Sequence, residues 1–232
     1  DPVSLGGLDT LILAQPRLLR PVELVALDDW VRQGGRAVIF ADPLLMWPSG
    51  LSVGDPRRAP LTSLLDPLLT HWGLRLEPVA PGDQGVRRQM LSGGQVLLVA
   101  GASRFSLAPD AENAASCSLA ERGLMAFCTV GRGGARLIAD ADLLDDRLWL
   151  ADARWPDRPE AQASDVVALL RGWTADPLRP RAGAILRRVS DEAALFAAMR
   201  WAILGMAAWV GLGWLGYRRV LGVNLDVVKG RT

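Results

Sequence analysis

Short apolar segments alternate with helical patterns along residues 1–175. Apolar segments at 8–15 and 36–41 have the length and composition of buried strands. Between them, Pro21 suits a first helical position, apolar residues follow at helical spacing, and Gly34-Gly35 ends the pattern. A strand, a helix and a strand joined by short links form a βαβ unit, so we expect two parallel strands with a right-handed crossover.

The same alternation continues downstream. It predicts a hairpin at 116–130, and further strands at 74–79, 96–100 and 135–139 with helices at 61–72 and 166–173. We therefore expect an α/β fold with a mostly parallel open sheet, flanking helices and an added β-hairpin. A loop at 46–60, rich in proline, glycine and arginine, interrupts the pattern, and loops of this length are often functional.

The C-terminal part has a different pattern, because no charged side chain occurs between Arg200 and Arg218. A helix at 193–217 is long enough to cross a hydrocarbon layer about 30 Å thick, and an arginine near its end can reach the headgroups. Its apolar residues lie on all sides, unlike those of a surface helix. The alternative to a transmembrane helix is a buried C-terminal helix of a globular fold. We predict one transmembrane helix at 193–217, preceded by a linker at 176–192 and followed by a basic tail at 218–232.

Charge and composition indicate the cellular compartment of the α/β domain. Basic residues flank both ends of the predicted span, with a slight lean toward a cytoplasmic C-terminus. The composition is typical of a GC-rich bacterial genome. We therefore expect a bacterial inner-membrane protein with an extracytoplasmic domain, the lipid bilayer among its partners, and an upstream leader or span before Asp1. The net charge is +1 and no basic stripe carries interleaved aromatic residues, which argues against a nucleic-acid partner.

The chain has two cysteines, Cys117 and Cys128. A turn centred on Arg122-Gly123 between two strands places them directly opposite each other. Opposed positions of a hairpin are close enough for a disulfide after small adjustments, and an exported domain permits one. The alternative is two small buried side chains without a bridge.

Polar residues follow three predicted strands: Gln15, Asp42, Asp140 and Asp142. If the strands are parallel, these residues gather at the carboxyl edge of the sheet, where α/β folds bind ligands. They are candidate ligand-binding residues for a sugar, a peptide end or a cation. The alternative is that they cap the following turns and face water.

Three stretches together resemble the auxiliary domain of uncharacterised ABC-type transport systems, which includes the GldG-like gliding-motility proteins. They are Asp9-Thr-Leu-Ile-Leu-Ala-Gln-Pro16, Trp30-Val-Arg-Gln-Gly-Gly-Arg-Ala-Val-Ile-Phe-Ala-Asp-Pro43 and Val130-Gly-Arg-Gly-Gly-Ala-Arg-Leu-Ile-Ala-Asp-Ala-Asp142. The resemblance covers roughly residues 8–173. It implies a fold similar to class I glutamine amidotransferases, an extracytoplasmic position, permease and ATPase partners, and no established catalysis.

Catalytic and metal sites find little support in the sequence. Neither cysteine stands on the tight strand-to-helix elbow that an amidotransferase nucleophile needs. The single histidine, His71, lies late in a predicted helix and is typical of a packing residue. Too few zinc ligands are present, and the ATPase phosphate-binding motif is absent. We expect no enzymatic activity, no metal and no cofactor.

These observations lead to two functional hypotheses. The first is a non-catalytic, membrane-anchored auxiliary subunit of an ABC-type transport system, whose extracytoplasmic domain binds partner subunits or a ligand. The alternative is a membrane-tethered ligand-binding or sensory module that uses the carboxyl edge of the sheet, with loop 46–60 as a lid.

Overall fold

The structure is a computed structural model, and it describes residues 5–108, 115–175, 196–197 and 199–214. The chain divides into two compact units, residues 1–185 and 186–232. The predicted linker at 176–192 and the basic tail at 218–232 lie outside the described residues.

The first unit is built around a five-stranded sheet with the order β1-β2-β9-β8-β7. Its strands, numbered with the others in chain order, are β1 (Thr10–Ala14), β2 (Arg36–Phe40), β7 (Ser116–Ala120), β8 (Met125–Val130) and β9 (Gly133–Ile138). β1, β2 and β9 are parallel, with Ile12 opposite Val38 and Val38 opposite Arg136. The predicted βαβ unit with two parallel strands is confirmed.

The sheet is mixed rather than mostly parallel, which corrects the expectation from the sequence. β9 pairs antiparallel with β8, and β8 pairs antiparallel with β7. The physical reason is chain connectivity, because strands joined by tight turns can only run in opposite directions. Gly131, with φ 58°, makes the turn between β8 and β9 and packs against the Arg32 backbone.

Two smaller antiparallel sheets account for other apolar segments. One pairs β3 (Leu74–Leu76) with β6 (Phe105–Leu107), and the other pairs β4 (Val86–Met90) with β5 (Val96–Ala100). The strands predicted at 74–79 and 96–100 therefore exist but do not join the central sheet. β4 and β6 were not predicted, since their short segments do not stand out as apolar strands.

The helices of this unit are α1 (Pro21–Arg32), α2 (Asp66–His71), α3 (Asp146–Trp149) and α4 (Val166–Ala175). α2 begins five residues later than the predicted helix at 61–72. Pro67 explains the difference, because proline suits the first turn of a helix and disrupts an interior. Short 3₁₀ turns at Glu121–Gly123, Asp142–Leu144 and Pro159–Ala161 complete the elements.

The central sheet buries apolar side chains on both faces. On one face, Ala37 and Ile39 pack with Leu27 and Val31 of α1 and with Trp72. On the other face, Val38 and Phe40 pack with Leu143, Val166 and Trp173. Burial on both faces explains why β2 is uniformly apolar.

In the second unit, residues 199–214 are helical. Its large apolar side chains are exposed, including Trp201, Trp209 and Val210. Among the described residues, no helix has both the length and the apolar character needed to cross a membrane. The transmembrane helix predicted at 193–217 is thus not supported by the structure, and residues 193–195, 198 and 215–217 lie outside the description.

Candidate functional site

The four candidate residues Gln15, Asp42, Asp140 and Asp142 lie together at the carboxyl ends of β1, β2 and β9. They meet because these strands are parallel and nearly in register. All four side chains are buried, with 0–2% of their surface exposed. The expected gathering is therefore observed, but the residues do not face water.

Gln15 directly follows β1 and has a backbone conformation with φ 45°. Its side-chain Nε2 donates to the Asp42 carbonyl oxygen at 2.9 Å and to the Pro60 carbonyl oxygen at 3.1 Å. Its Oε1 accepts from the Asp42 backbone N–H at 2.9 Å. One side chain thereby joins the end of β2 to the far end of loop 46–60.

In both Asp42 and Asp140, each carboxylate oxygen accepts a hydrogen bond from a backbone amide. Asp42 accepts from the N–H groups of Leu44 at 2.8 Å and Ala141 at 2.8 Å. Asp140 accepts from Ala100 at 3.0 Å and Leu143 at 2.7 Å. These bonds connect the segments after β2, β5 and β9, which satisfies buried backbone donors that would otherwise be costly.

Asp142 holds the start of loop 46–60. Its carboxylate accepts from the Met46 N–H, at 3.1 Å and 2.9 Å to the two oxygens. Together, Gln15 and Asp142 close the two ends of the loop at its base.

Burial changes the acidity of the three aspartates. Burial raises the pKa of Asp142 to about 6, and the nearby Asp42 and Asp145 charges add to this effect. Burial, followed by the charge of Asp42, raises the pKa of Asp140 well above its usual range. Burial is also the main reason why the pKa of Asp42 is raised. The amide bonds oppose these shifts because they favour the charged form.

The main role of these four side chains is structural, because each of them forms hydrogen bonds with the backbone of a neighbouring segment. Among the described residues, no cluster of three or more His, Cys, Asp or Glu side chains is arranged to hold a metal ion. Ligand binding by Gln15, Asp42, Asp140 and Asp142 stays a prediction, and a ligand would have to displace part of this network.

A second buried carboxylate, Asp28 on α1, was not predicted from the sequence. Trp72 Nε1 donates to Asp28 Oδ1 at 2.7 Å, and Arg32 Nε donates to Oδ2 at 2.6 Å. Burial would raise the pKa of Asp28, but these bonds outweigh it and lower the pKa. The ion pair between Asp28 and Arg32 follows helical i,i+4 spacing and is predictable from the sequence. The bond between Asp28 and Trp72 is a tertiary contact, which sequence spacing does not indicate.

The histidine and the cysteines have structural surroundings. His71 is the last residue of α2, and its Nε2 lies 3.6 Å from Asp28 Oδ2. Cys117 lies opposite Cys128 in the β7–β8 pair, and the two form a disulfide with a Cα–Cα distance of 4.1 Å. The predicted opposition of the cysteines is confirmed, and the alternative of two unbridged side chains is not observed.

Arg136 is a buried charged residue within β9, a position that the apolar pattern did not distinguish. Its guanidinium carbon lies 4.4 Å from the Phe127 ring centroid and 5.2 Å from that of Trp173. Stacking on two aromatic faces stabilises a desolvated guanidinium.

Comparison with known families gives one match. Residues 2–97 match the model of a family described as an ABC-type uncharacterized transport system. The matched region contains β1, α1, β2 and the whole of loop 46–60. It supports the predicted relationship to auxiliary components of ABC-type transport systems, while the GldG-like and amidotransferase-like assignments stay predictions. No curated protein matches the chain.

Several solved structures show a weak similarity to this chain. An exo-beta-1,4-mannosidase from Opitutaceae bacterium strain TAV5 is 16% identical with a TM-score of 0.42, and the match covers 75% of this chain and 26% of the mannosidase. The mmIFT52 N-terminal domain is 12% identical with a TM-score of 0.46, covering 76% of this chain and 81% of that domain. A beta-galactosidase from Bacillus circulans sp. alkalophilus is 14% identical with a TM-score of 0.32, over 57% and 20%. The chain thus spans about a quarter of the mannosidase, and these similarities carry no functional argument.

Proposed function

We propose that the protein is a non-catalytic, membrane-anchored auxiliary subunit of an ABC-type transport system. Its α/β domain lies outside the cytoplasm and binds the permease, the ATPase-bearing complex or a ligand of the system. The observation that carries the proposal is the family match over residues 2–97, which includes β1 and β2, two of the three parallel strands of the central sheet.

The cysteine chemistry supports a non-catalytic role. The disulfide joins Cys117 and Cys128, so neither sulfur is a free thiolate able to act as a nucleophile. The buried aspartates at the carboxyl edge bind backbone amides instead of projecting into an open cleft. These groups stabilise the domain, which is consistent with a role in recognition.

The same disulfide supports a position outside the cytoplasm, because disulfides persist in oxidising compartments and are rare in the bacterial cytosol.

The second unit supports membrane attachment. Exposed tryptophans, with Trp201 at 68% and Trp209 at 79%, would be costly in water and are favourable within a bilayer or at its surface. The proposed anchor comprises residues 193–217, which extend beyond the described helix on both sides.

The test is affinity purification of the full-length protein from crosslinked bacterial membranes, followed by mass spectrometry. We expect an ATPase and a multi-span permease to be recovered with it. Recovery of the protein alone from membranes would contradict the subunit assignment and favour a free-standing ligand-binding module.

Membrane attachment is tested separately by fractionation after an alkaline wash. Replacing Val210 and Leu212 by aspartate should release the protein, because buried charges oppose insertion into hydrocarbon. The matched control is Val53→Asp, since Val53 is 74% exposed in loop 46–60. Retention of the Val210→Asp/Leu212→Asp protein in the membrane would contradict an anchor at 193–217.

A further inference from the structure

Helix α1 carries apolar side chains on both of its faces. Leu27 and Val31 point into the core, as expected for a helix that covers a sheet. On the opposite side, Val22 and Val25 are 58% and 60% exposed, and Leu18 just before the helix is 66% exposed. A surface helix normally presents polar residues there, so this outer face is more apolar than that of a typical surface helix.

The outer face forms one wall of a shallow groove of about 440 Å³. Its lining includes Leu5, Val22, Val25, Ala26, Asp29 and Trp30. Trp30 Nε1 donates to the Leu8 carbonyl oxygen at 3.2 Å, which fixes the segment that forms the other wall. This bond holds residues 5–8 against α1 beside the groove.

Charges at the two ends of this apolar stripe have opposite signs. At the N-terminal end, Arg17 and Arg20 share one carboxylate, that of Glu23, at 2.9 Å and 3.4 Å, which leaves an excess positive charge. At the other end, Asp29 is exposed, and no cation among the described residues forms an ion pair with it. The helical rise separates Arg20 from Asp29 by about 14 Å.

An apolar stripe with opposite charges at its two ends is complementary to a second copy of itself that runs in the opposite direction. In an antiparallel pair of α1 helices related by a two-fold axis between Val22 and Val25, Val22 of one copy faces Val25 of the second copy. Extending this register past the start of α1 places Asp29 near the segment of the second copy that carries Arg17 and Arg20. The apolar residues become buried and both uncompensated charges gain a partner, as an isologous interface requires.

We propose that the outer face of α1 binds the same face of a second copy of this chain, forming an antiparallel helix pair. The inference is independent of the proposed transport function, since the partner is the protein itself. It places a dimer interface on the side of the βαβ unit away from the central sheet.

The first test is disulfide crosslinking of the full-length protein in its native membranes. Val25→Cys and Val22→Cys proteins should each form a crosslinked dimer under mild oxidation, because the positions lie close to the two-fold axis. The matched control is Val53→Cys, an exposed valine on loop 46–60, which should stay uncrosslinked. A Val25→Cys protein that remains monomeric, or one that crosslinks only to a different protein, overturns the proposal.

A charge exchange tests the orientation. In the Val25→Cys background, Asp29→Arg should reduce crosslinking about fivefold, because the symmetric arrangement loses a favourable pair on both sides. Adding Arg17→Asp should restore it. Unchanged thermal unfolding of each variant excludes a folding defect as the cause. Loss of crosslinking in both the single and the double variant, with folding intact, would overturn the antiparallel arrangement.

Discussion

The Gln15 side-chain amide and the Asp42 backbone exchange two hydrogen bonds, each 2.9 Å long, across 27 positions of the sequence. A glutamine side chain has the same donor and acceptor pair as a peptide unit, so it continues the parallel ladder one step beyond β1. Its additional bond to the Pro60 carbonyl brings in the end of loop 46–60. This relationship fixes both neighbouring strand ends and the loop.

Replacing Gln15 by leucine should destabilise the domain by about 2–3 kcal/mol, because it leaves buried backbone groups of Asp42 without partners. Urea unfolding followed by tryptophan fluorescence measures the change. The control is Gln84→Leu at an exposed position, which should change stability by less than about 0.5 kcal/mol. Equal effects of the two substitutions would contradict the assigned role of Gln15.

The raised pKa values predict that stability increases as the pH falls from neutral toward 5. Burial raises the folded-state pKa of Asp142 from its usual range to about 6, so the folded protein binds a proton that the unfolded chain lacks in this interval. The stability that Asp142 contributes is consequently fully present below its unfolded pKa and is lost as the pH rises through about 6. Asp140 and Asp42 act in the same direction.

Substituting Asp142 by asparagine should make the stability difference between pH 5 and pH 7.5 smaller by about 1–2 kcal/mol. Unfolding curves at the two pH values measure this. Asp152→Asn is the control: the hydrogen bond of Asp152 with Arg154 lowers the pKa of Asp152, so its contribution is lost only at more acidic pH. A pH dependence that Asp142→Asn leaves unchanged would be incompatible with the raised pKa.

The parts of this site that could be predicted are those set by local pattern. β1 and β2 are visible as apolar segments joined by a helix, so their parallel pairing and the meeting of Gln15 with Asp42 follow from chain topology. The opposition of Cys117 and Cys128 follows equally from the symmetric spacing around the turn.

Tertiary relationships could not be predicted in this way. The bond between Trp72 and Asp28 joins residues 44 positions apart, and neither residue type indicates its partner. The burial of Arg136 depends on two aromatic rings brought in by β8 and α4. The mixed sheet depends on the tight turn between β8 and β9, and the apolar pattern predicts both strands without indicating their relative direction.

The disulfide should contribute measurably to stability. It closes a loop with a sequence separation of 11, and replacing both Cys117 and Cys128 by alanine should lower the free energy of unfolding by about 2–3 kcal/mol. Alkylation of the denatured, non-reduced protein should add no mass, whereas prior reduction should allow both cysteines to react. Modification without reduction would show that the bridge is absent.

Replacing Trp72 by phenylalanine should test the buried Asp28 cluster, because it removes the Nε1 donor and keeps an aromatic ring in the core. We expect a loss of about 1–2 kcal/mol, since Asp28 keeps Arg32 but loses one of its bonds.

The lowered pKa of Asp28 stabilises the fold above the usual aspartate pKa, and this contribution disappears as the pH falls. The variant should therefore show a shallower loss of stability below about pH 4 than the wild-type protein. Trp155→Phe, at a half-exposed position, is the matched control, and a similar change in acid sensitivity there would refute the assignment to Asp28.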